Sequence, residues 1–442
     1  MTRRTVSLLV ALVLSLVPAL RAQDASPSLF PLAHEPFRSE SSVSAENPSP
    51  TGTPNTEETP NVATTPSTTE IPKTAEPPKA NETPTATETA SPLPTPTPNL
   101  PLVANADATD TARYLAGMSI SNESSLANLA KDSRWQSHSH AMNSAFARLD
   151  EHQLNNIRLW QSDFLAPITA GSKVCLYYFS GPDFLYADAF YPDCTTYVLA
   201  GLEPIETIPD LHAMSAGALA GTLENIESSL TALLNFSFFR TKDMHVDFQK
   251  GQVKGPLPII FVFLARTGKQ LQQVEYVSLD RDGHLQSGNG GSVHGVKVSF
   301  SDTNSTAQKT LYYFTTDLSD DGLKHNPNLL KFSETLGPAH VFLKAASYLM
   351  HHAAFATVRS FLLQQALTLL QDDSGIPVKY FAPDKWVLRF FGSYTEPIAI
   401  FKTEYQADLR HYYETSSPKP LTFGFGYQYK GHNSTLILAT KK

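Results

Sequence analysis

Cysteine is scarce in this chain of 442 residues, which contains only Cys175 and Cys194. Two cysteines are too few for a Cys-rich zinc site or for a scaffold held by several disulfides. Cys175 lies early in the first predicted strand and Cys194 lies just before the second. If those strands are parallel neighbours in an oxidising compartment, we expect a disulfide between them. Two buried free thiols are the alternative.

Positive charge is not in excess, since 34 Lys and Arg face 42 Asp and Glu, which gives a net charge of −8. No run of Lys or Arg is interleaved with aromatic residues, so the sequence lacks the pattern of a nucleic-acid binder or of a polybasic membrane patch. Beyond the N-terminus, no apolar run reaches the ~18 residues that a membrane span needs. We therefore expect neither a nucleic-acid partner nor a membrane span in the mature chain.

Several motifs of common enzymes are also missing. The sequence has no Gly-rich dinucleotide fingerprint, nucleophile elbow, HExxH zinc motif, phosphate-binding P-loop or set of protein-kinase motifs. The sequence therefore predicts no cofactor and no metal site. Whether the protein is an enzyme stays open.

The N-terminus has the layout of a secretory signal peptide over residues 1–22. Arg3 and Arg4 precede an apolar stretch over residues 6–17, and small residues follow it. Cleavage after Ala22 would export the chain to the periplasm or out of the cell. An uncleaved N-terminal anchor is the alternative.

Residues 23–103 hold 17 of the 32 prolines together with many Thr, Ser and Glu. This composition predicts a disordered linker, partly polyproline II, because it cannot bury enough apolar surface to fold. A spacer across an envelope layer and a linker with no role beyond its length both fit. Residues 104–442 remain for a single large domain, whose N-terminal part over 104–166 is predicted to be helical.

The pattern over residues 173–200 indicates a β–α–β unit with parallel strands at 173–179 and 196–200. Hairpins are expected after it, and an apolar helical stripe is expected to run on to residue 370. The remaining predicted strands are 258–264, 272–279, 293–300, 309–315, 386–390, 421–427 and 435–439. The sequence therefore predicts an α/β domain with a mixed sheet covered by helices.

The ends of the two parallel strands are the first candidate site, because ligands of open α/β sheets bind at the carboxyl ends of strands. Ser180, Gly181 and Asp183 follow the first predicted strand, and Glu203 follows the second. We expect the two turns to lie side by side, with Lys344 offsetting the charge of the two acids. The bland alternative is that Asp183 caps a helix and that Glu203 is an ordinary edge carboxylate.

Two later segments are further candidates. His340, Lys344, Ser347 and His351 are spaced for one face of a predicted helix, where they form either a base and nucleophile or a solvated surface. Asp372 and Asp373 follow in a Gly/Pro loop that is predicted to end this helix. They bind a cation or a basic ligand, or they belong to a plain turn.

The segment from Tyr178 to Pro204, together with FLKAASYLMH and DDSGIP further along, resembles a family of exported bacterial proteins of unassigned function. The resemblance implies that Ser180–Asp183, Glu203–Pro204 and Asp372–Pro377 belong to one type of domain. It implies no catalytic role for any of these residues.

Three functions fit these observations. The first is an exported α/β domain that binds a small molecule or a component of the cell envelope. The second is an exported hydrolase that uses carboxylates, with or without a metal. The third is a surface scaffold or adhesion domain that has no cleft. Convergence of Asp183, Glu203, Lys344 and Asp372 would favour the first two, and a scattered arrangement would favour the third.

Overall fold

A computed structural model describes residues 105–208, 210–236 and 255–442. The predicted signal peptide and the predicted linker lie outside the described residues. Among the helices that are described, none is both long and apolar enough to cross a membrane.

Within the described ranges, ten strands form one mixed sheet, which confirms the predicted α/β fold. In chain order they are β1 Val174–Tyr177, β2 Thr196–Gly201, β3 Lys269–Leu279, β4 Leu285–Ser287, β5 Val293–Asp302, β6 Gln308–Thr315, β7 Ala339–Leu343, β8 Ala366–Gln371, β9 Trp386–Gly392 and β10 Thr435–Lys441. Their order across the sheet is β4-β3-β5-β6-β2-β1-β7-β8-β10-β9. The five strands from β6 to β8 pair in parallel, and the pairings at both ends of the sheet are antiparallel.

Helices cover the sheet. They are α1 Asn105–Leu115, α2 Ser133–Leu149, α3 Asn155–Trp160, α4 Phe184–Phe190, α5 Ala216–Phe236, α6 Leu257–Arg266, α7 Asp320–His325, α8 Asn328–Thr335, α9 Ala356–Gln365 and α10 Ala407–Thr415. Helices α1, α2 and α3 make up the predicted helical part at the start of the domain. The stripe of Trp135, Met142 and Phe146 on α2 is buried, as its helical spacing predicts.

The predicted β–α–β unit is confirmed, since β1 and β2 are parallel and Leu176 lies beside Val198. Side chains of β1 alternate between two apolar clusters. Tyr177 belongs to the cluster that contains α4, and Leu176 belongs to the cluster that contains α9. Helix α4 leads from β1 to β2 and α9 leads from β7 to β8, so the two helices lie on opposite faces. The neighbouring strands β1 and β7 therefore form a topological switch point.

The prediction of a strand over residues 258–264 is wrong, because this segment lies in α6. Pro256 precedes the helix and Pro258 lies in its first turn, where the missing amide proton of proline is tolerated. Residues 257–265 are all buried. A helix that is buried on every side is apolar on every side, so its sequence has no polar face to distinguish it from a strand.

The prediction of a helix over residues 338–370 is also wrong. The segment contains β7, two short 3₁₀ turns, α9 and β8. Every residue of β7 is buried, since the strand lies inside a parallel sheet that is covered on both faces. Its residues other than His340 are all apolar, and this pattern fits the predicted helical stripe as well as it fits a buried strand.

The later strands agree better with the sequence. Strands β5 and β6 pair antiparallel as predicted, and β9 and β10 lie where the last strands were expected. Residues 421–427 are an exception, because they form turns and one isolated bridge rather than a strand.

The disulfide prediction is corrected, because Cys175 and Cys194 are both buried free thiols. The two side chains interact, and burial raises the pKa of the Cys175 thiol, with the contact to Cys194 adding to the shift. Cys175 pairs in register with Tyr197, whereas Cys194 lies in a turn before β2 and donates its amide proton to the Tyr191 carbonyl at 3.1 Å. The two thiols therefore lie close together because β1 and β2 start side by side, but they form no disulfide.

Candidate functional site

The switch point brings together the segments that follow β1 and β7. The chain turns away from β1 towards one neighbour and away from β7 towards the other, and in open α/β sheets the crevice between two such exits is where ligands bind. Residues 179–183 leave β1, and residues 344–348, here called the β7 loop, leave β7. Residues 372–375, here called the β8 turn, follow the next strand along. The site is built from these three segments.

Asp183 is fixed by three donors. Its carboxylate accepts hydrogen bonds from the Tyr177 hydroxyl at 2.9 Å and from the Tyr186 amide at 3.3 Å, so it caps α4. The Lys344 ammonium lies 2.8 Å from the same carboxylate. Asp183 and Lys344 are 2% and 3% exposed, so their charges interact with little screening by water. Lys344 thus pairs with Asp183, one of the two acids whose charge it was expected to offset.

Lys344 does not lie on a helix as predicted, but directly after β7. Its ammonium sits 3.6 Å from the centre of the Tyr186 ring. Complete burial lowers the pKa of Lys344, while the charges of Asp183 and Asp372 oppose that shift. The ammonium is thus enclosed by two carboxylates and an aromatic face, which is the usual setting of a buried cation.

Asp372 begins the β8 turn and holds the β7 loop. Its carboxylate accepts the Ala345 amide at 3.1 Å, and the amide and hydroxyl of Ser374 at 3.2 and 2.5 Å. Burial raises the pKa of Asp372, and these bonds together with one from the Tyr427 amide oppose the shift. A side chain at Gly426 would place its Cβ 1.9 Å from Asp372 Oδ2, and Gly426 has a φ of +68°. Only glycine fits there.

The carboxylate of Asp373 is less well stabilised by hydrogen bonds than that of the neighbouring Asp372. The Tyr348 hydroxyl donates a hydrogen bond to its carboxylate. Burial, together with the adjacent charge of Asp372, raises the pKa of Asp373 to about 7. Two buried carboxylates side by side disfavour a second negative charge, so Asp373 keeps its proton to a higher pH than an exposed aspartate does.

The β7 loop is strained. Ala345, Ser347 and Tyr348 have φ values of 52°, 54° and 54°, in the left-handed region that costs a non-glycine residue roughly 1–2 kcal/mol. Most of the hydrogen bonds that hold this loop in place come from the β8 turn. Besides the bonds to Asp372 and Asp373, the Ala346 amide donates to Ser374 Oγ at 2.7 Å. Such strain persists only where the surroundings impose it, and it is typical of ligand sites and switches.

Glu203 lies beside the first turn, as the parallel strands predict. A Cβ added to Gly201 would lie 3.3 Å from the Gly181 Cα, so the two turns are adjacent. The Glu203 carboxylate accepts a hydrogen bond from the Tyr313 hydroxyl at 3.2 Å. Tyr313 rather than Lys344 is therefore its partner. Ser180 is buried and donates to the Gly181 carbonyl at 2.8 Å.

The predicted face of His340, Lys344, Ser347 and His351 does not exist, because no helix carries them. His340 lies within β7, and its ring contacts the Thr368 hydroxyl at 2.8 Å. Ser347 pairs with the Tyr427 hydroxyl at 2.9 Å. His351 lies 3.4 Å from the Glu404 carboxylate, and burial lowers the pKa of His351 to about 4.

Some participants were not predicted. Tyr348 joins the β7 loop to Asp373, and the Tyr427 hydroxyl donates to the Ala345 carbonyl of that loop. Residues 421–427 cross the site because Gly424 and Gly426 allow tight turns there. The alternation of glycine and aromatic residues in FGFGY was the only available signal for this crossing, and it matches a strand equally well.

No group of three or more His, Cys, Asp and Glu side chains in the described ranges is arranged to hold a metal ion. Comparisons of the chain with family models, curated proteins and solved structures found no match. Function is therefore inferred from the geometry of the site, and the resemblance to exported bacterial proteins stays a prediction.

Proposed function

We propose that the α/β domain binds a small molecule, or a small component of the cell envelope, in the crevice between residues 179–183 and the β7 loop. The observation that carries this proposal is the meeting of Asp183, Lys344 and Asp372 at the topological switch point between β1 and β7. Open α/β sheets bind their ligands at such a point, outside the carboxyl ends of the strands.

The composition of the site supports binding over a purely structural role. Well-packed apolar residues often stabilise a fold as much as a buried ion pair does, or more. Left-handed backbone at non-glycine residues costs stability. Stability alone therefore favours neither feature. Both features occur together at the β7 loop, where Lys344 is buried and Ser347 and Tyr348 are strained. Their coincidence at the switch point favours a site over a scaffold.

Binding is also better supported than hydrolysis by free carboxylates. Asp183 already receives donors from Tyr177, Tyr186 and Lys344, and Asp372 receives several donors from the chain. A general base needs a lone pair that can reach the proton of its substrate. Carboxylates occupied in this way hold the walls of the crevice in place instead.

Substitution of Gly181 tests the proposal. Gly181 has a φ of +54°, and a Cβ there meets only Glu203 Oε2 at 4.0 Å, so Asn, which tolerates left-handed backbone, fits without a clash. Gly337 is a matched control before the start of β7, with a φ of +79° and no atom within 4 Å. The probes are amino acids, monosaccharides, polyamines and muropeptides, and binding is measured by saturation-transfer NMR.

We expect at least one class of probe to bind the natural protein and the Gly337→Asn variant. The Gly181→Asn variant should lose that binding while it unfolds at the same temperature as the Gly337→Asn variant. Equal binding to both variants, or no binding of any probe class to the natural protein, would contradict a site at this crevice.

We also propose that the protein is exported. The support comes from the sequence, in which Arg3 and Arg4 precede an apolar stretch and a small residue at Ala22. N-terminal sequencing of the mature protein from a native or surrogate host should begin at Gln23. A mature chain that starts at Met1 and stays in the cytosolic fraction would contradict export.

A further inference from the structure

The carboxylates of the β8 turn hold a strained loop, and one of them has few donors. Asp372 is stabilised by hydrogen bonds from Ala345 and Ser374, whereas Asp373 receives the Tyr348 hydroxyl. Both carboxylates are buried, at 1% and 2% exposure. A second negative charge in this turn is therefore poorly compensated as long as the β7 loop covers it.

Opening of the β7 loop changes the surroundings of Asp373. When Tyr348 leaves, its hydroxyl is replaced by water, which solvates an ionised carboxylate far better than the closed site does. Ala345, Ser347 and Tyr348 also leave their left-handed conformations. Loss of the proton from Asp373 therefore favours the open loop, and uptake of the proton favours the closed one.

We propose that the Asp372–Asp373 pair is a proton-controlled latch, which keeps the β7 loop closed over the crevice when Asp373 is protonated and releases it when Asp373 ionises. The latch would regulate access of a ligand to the crevice, and in that respect it rests on the proposed function. The movement of the loop itself does not depend on any ligand.

Other titratable groups face Asp373 from every side, and they must be distinguished from it. Tyr348 comes from the β7 loop, Tyr394 follows β9, Tyr413 lies on α10 and Tyr427 lies in the segment before β10. Burial raises the pKa of all four tyrosines, so they stay neutral around pH 7. Lys344 adds a positive charge on the far side of Asp372.

Two histidines also lie nearby. His351 contacts the backbone of Asp373, but burial lowers the pKa of His351 to about 4, so it is neutral at the pH in question. His352 lies 3.7 Å from the Glu404 carboxylate and has an exposed side-chain fraction of 37%. Because it neighbours His351 and the Glu404 carboxylate, His352 requires its own variant.

Hydrogen exchange of the full chain measures the latch without a ligand. The reporters are the Ala345 and Ala346 amides, which bond to the β8 turn in the closed loop. After correction for the intrinsic exchange rate, their protection should fall by about tenfold per pH unit between about pH 5 and pH 7, because opening releases one proton. It should level off above that range.

Three variants identify the group that causes the pH dependence of amide protection. Asp373→Asn imitates the protonated carboxyl and should give protection that does not change with pH. Asp384→Asn changes an exposed aspartate after the β8 turn, and His352→Gln removes the neighbouring histidine, so both should keep the slope. Near-ultraviolet circular dichroism confirms that each variant is folded.

A protection factor that is independent of pH in the natural protein would overturn the latch, as would an unchanged slope in Asp373→Asn. A slope that disappears in His352→Gln would assign the proton to the histidine instead. Each outcome is independent of the probe experiment on Gly181, so the latch and the binding site are tested separately.

Discussion

Replacing Lys344 with Met should destabilise the fold more than replacing Asp183 with Asn. The two groups are 3% and 2% exposed and 2.8 Å apart, and removing one partner of a buried ion pair costs roughly 3–5 kcal/mol. Lys344→Met leaves the carboxylates of Asp183 and Asp372 without a cation, so we expect the upper end of that range. Asp183→Asn leaves Asp372 facing Lys344, and its amide oxygen can still accept from Tyr177, so we expect the lower end.

The double variant separates the ion pair from the other contacts of these side chains. With both charges removed, no ammonium or carboxylate of the pair is left uncompensated, so the loss should be smaller than the sum of the single losses by about 2 kcal/mol or more. Unfolding in guanidinium chloride at pH 7, followed through the fluorescence of the three tryptophans, gives the free energies.

Additive losses would mean that the two residues do not interact as a buried ion pair. A loss below about 1 kcal/mol for Lys344→Met would place the ammonium in a solvated environment, as is typical of surface ion pairs. A larger loss of unfolding free energy for Asp183→Asn than for Lys344→Met would mean that Asp372 does not interact with Lys344 as inferred.

Three other outcomes follow from the structure. Because the pKa of Asp373 rises from 3.8 to about 7, the native state binds a proton that the unfolded chain has already lost, so the free energy of unfolding should fall by roughly 4 kcal/mol as pH rises from about 4 to about 7. Asp373→Asn should abolish that fall in a pH series of denaturant titrations. Gly426→Ala should lower the melting temperature much more than Gly337→Ala, since its Cβ would lie 1.9 Å from a carboxylate oxygen whereas Gly337 has open space. Both cysteines should resist thiol reagents in the folded protein and titrate as two free thiols after unfolding without reductant, and a count of zero would restore the disulfide.

The local order of elements was predictable wherever a pattern had a single physical explanation. The turn Ser180–Asp183 sits between an apolar β-forming run and a short helix, and a parallel neighbour follows within a few residues. That pattern predicted β1, α4 and β2, and with them the adjacency of Gly181 and Gly201. The pairing of Lys344 with Asp183 was also predicted, although Lys344 was expected on a helix.

The errors concern segments that are buried on every side. Residues 257–265 form a helix and residues 339–343 form a strand, yet every residue of both is buried and His340 is the one polar residue among them. The periodicity of apolar and polar residues shows which face of an element is exposed to water. An element that is buried on every face therefore lacks this periodicity. Length is the only remaining guide, and α9 next to β8 made the second run look like one long helix.

Local patterns in the chain were enough to predict an α/β domain with acids at the ends of its parallel strands, because alternation, turn residues and strand ends are local properties. Only the tertiary structure decided that β7 lies beside β1, which makes a switch point and brings Lys344, Asp372 and Asp373 to Asp183. The sheet order depends on how helices far apart in sequence share its two faces. No local pattern encodes that choice, since it is settled by the burial of the whole apolar surface at once.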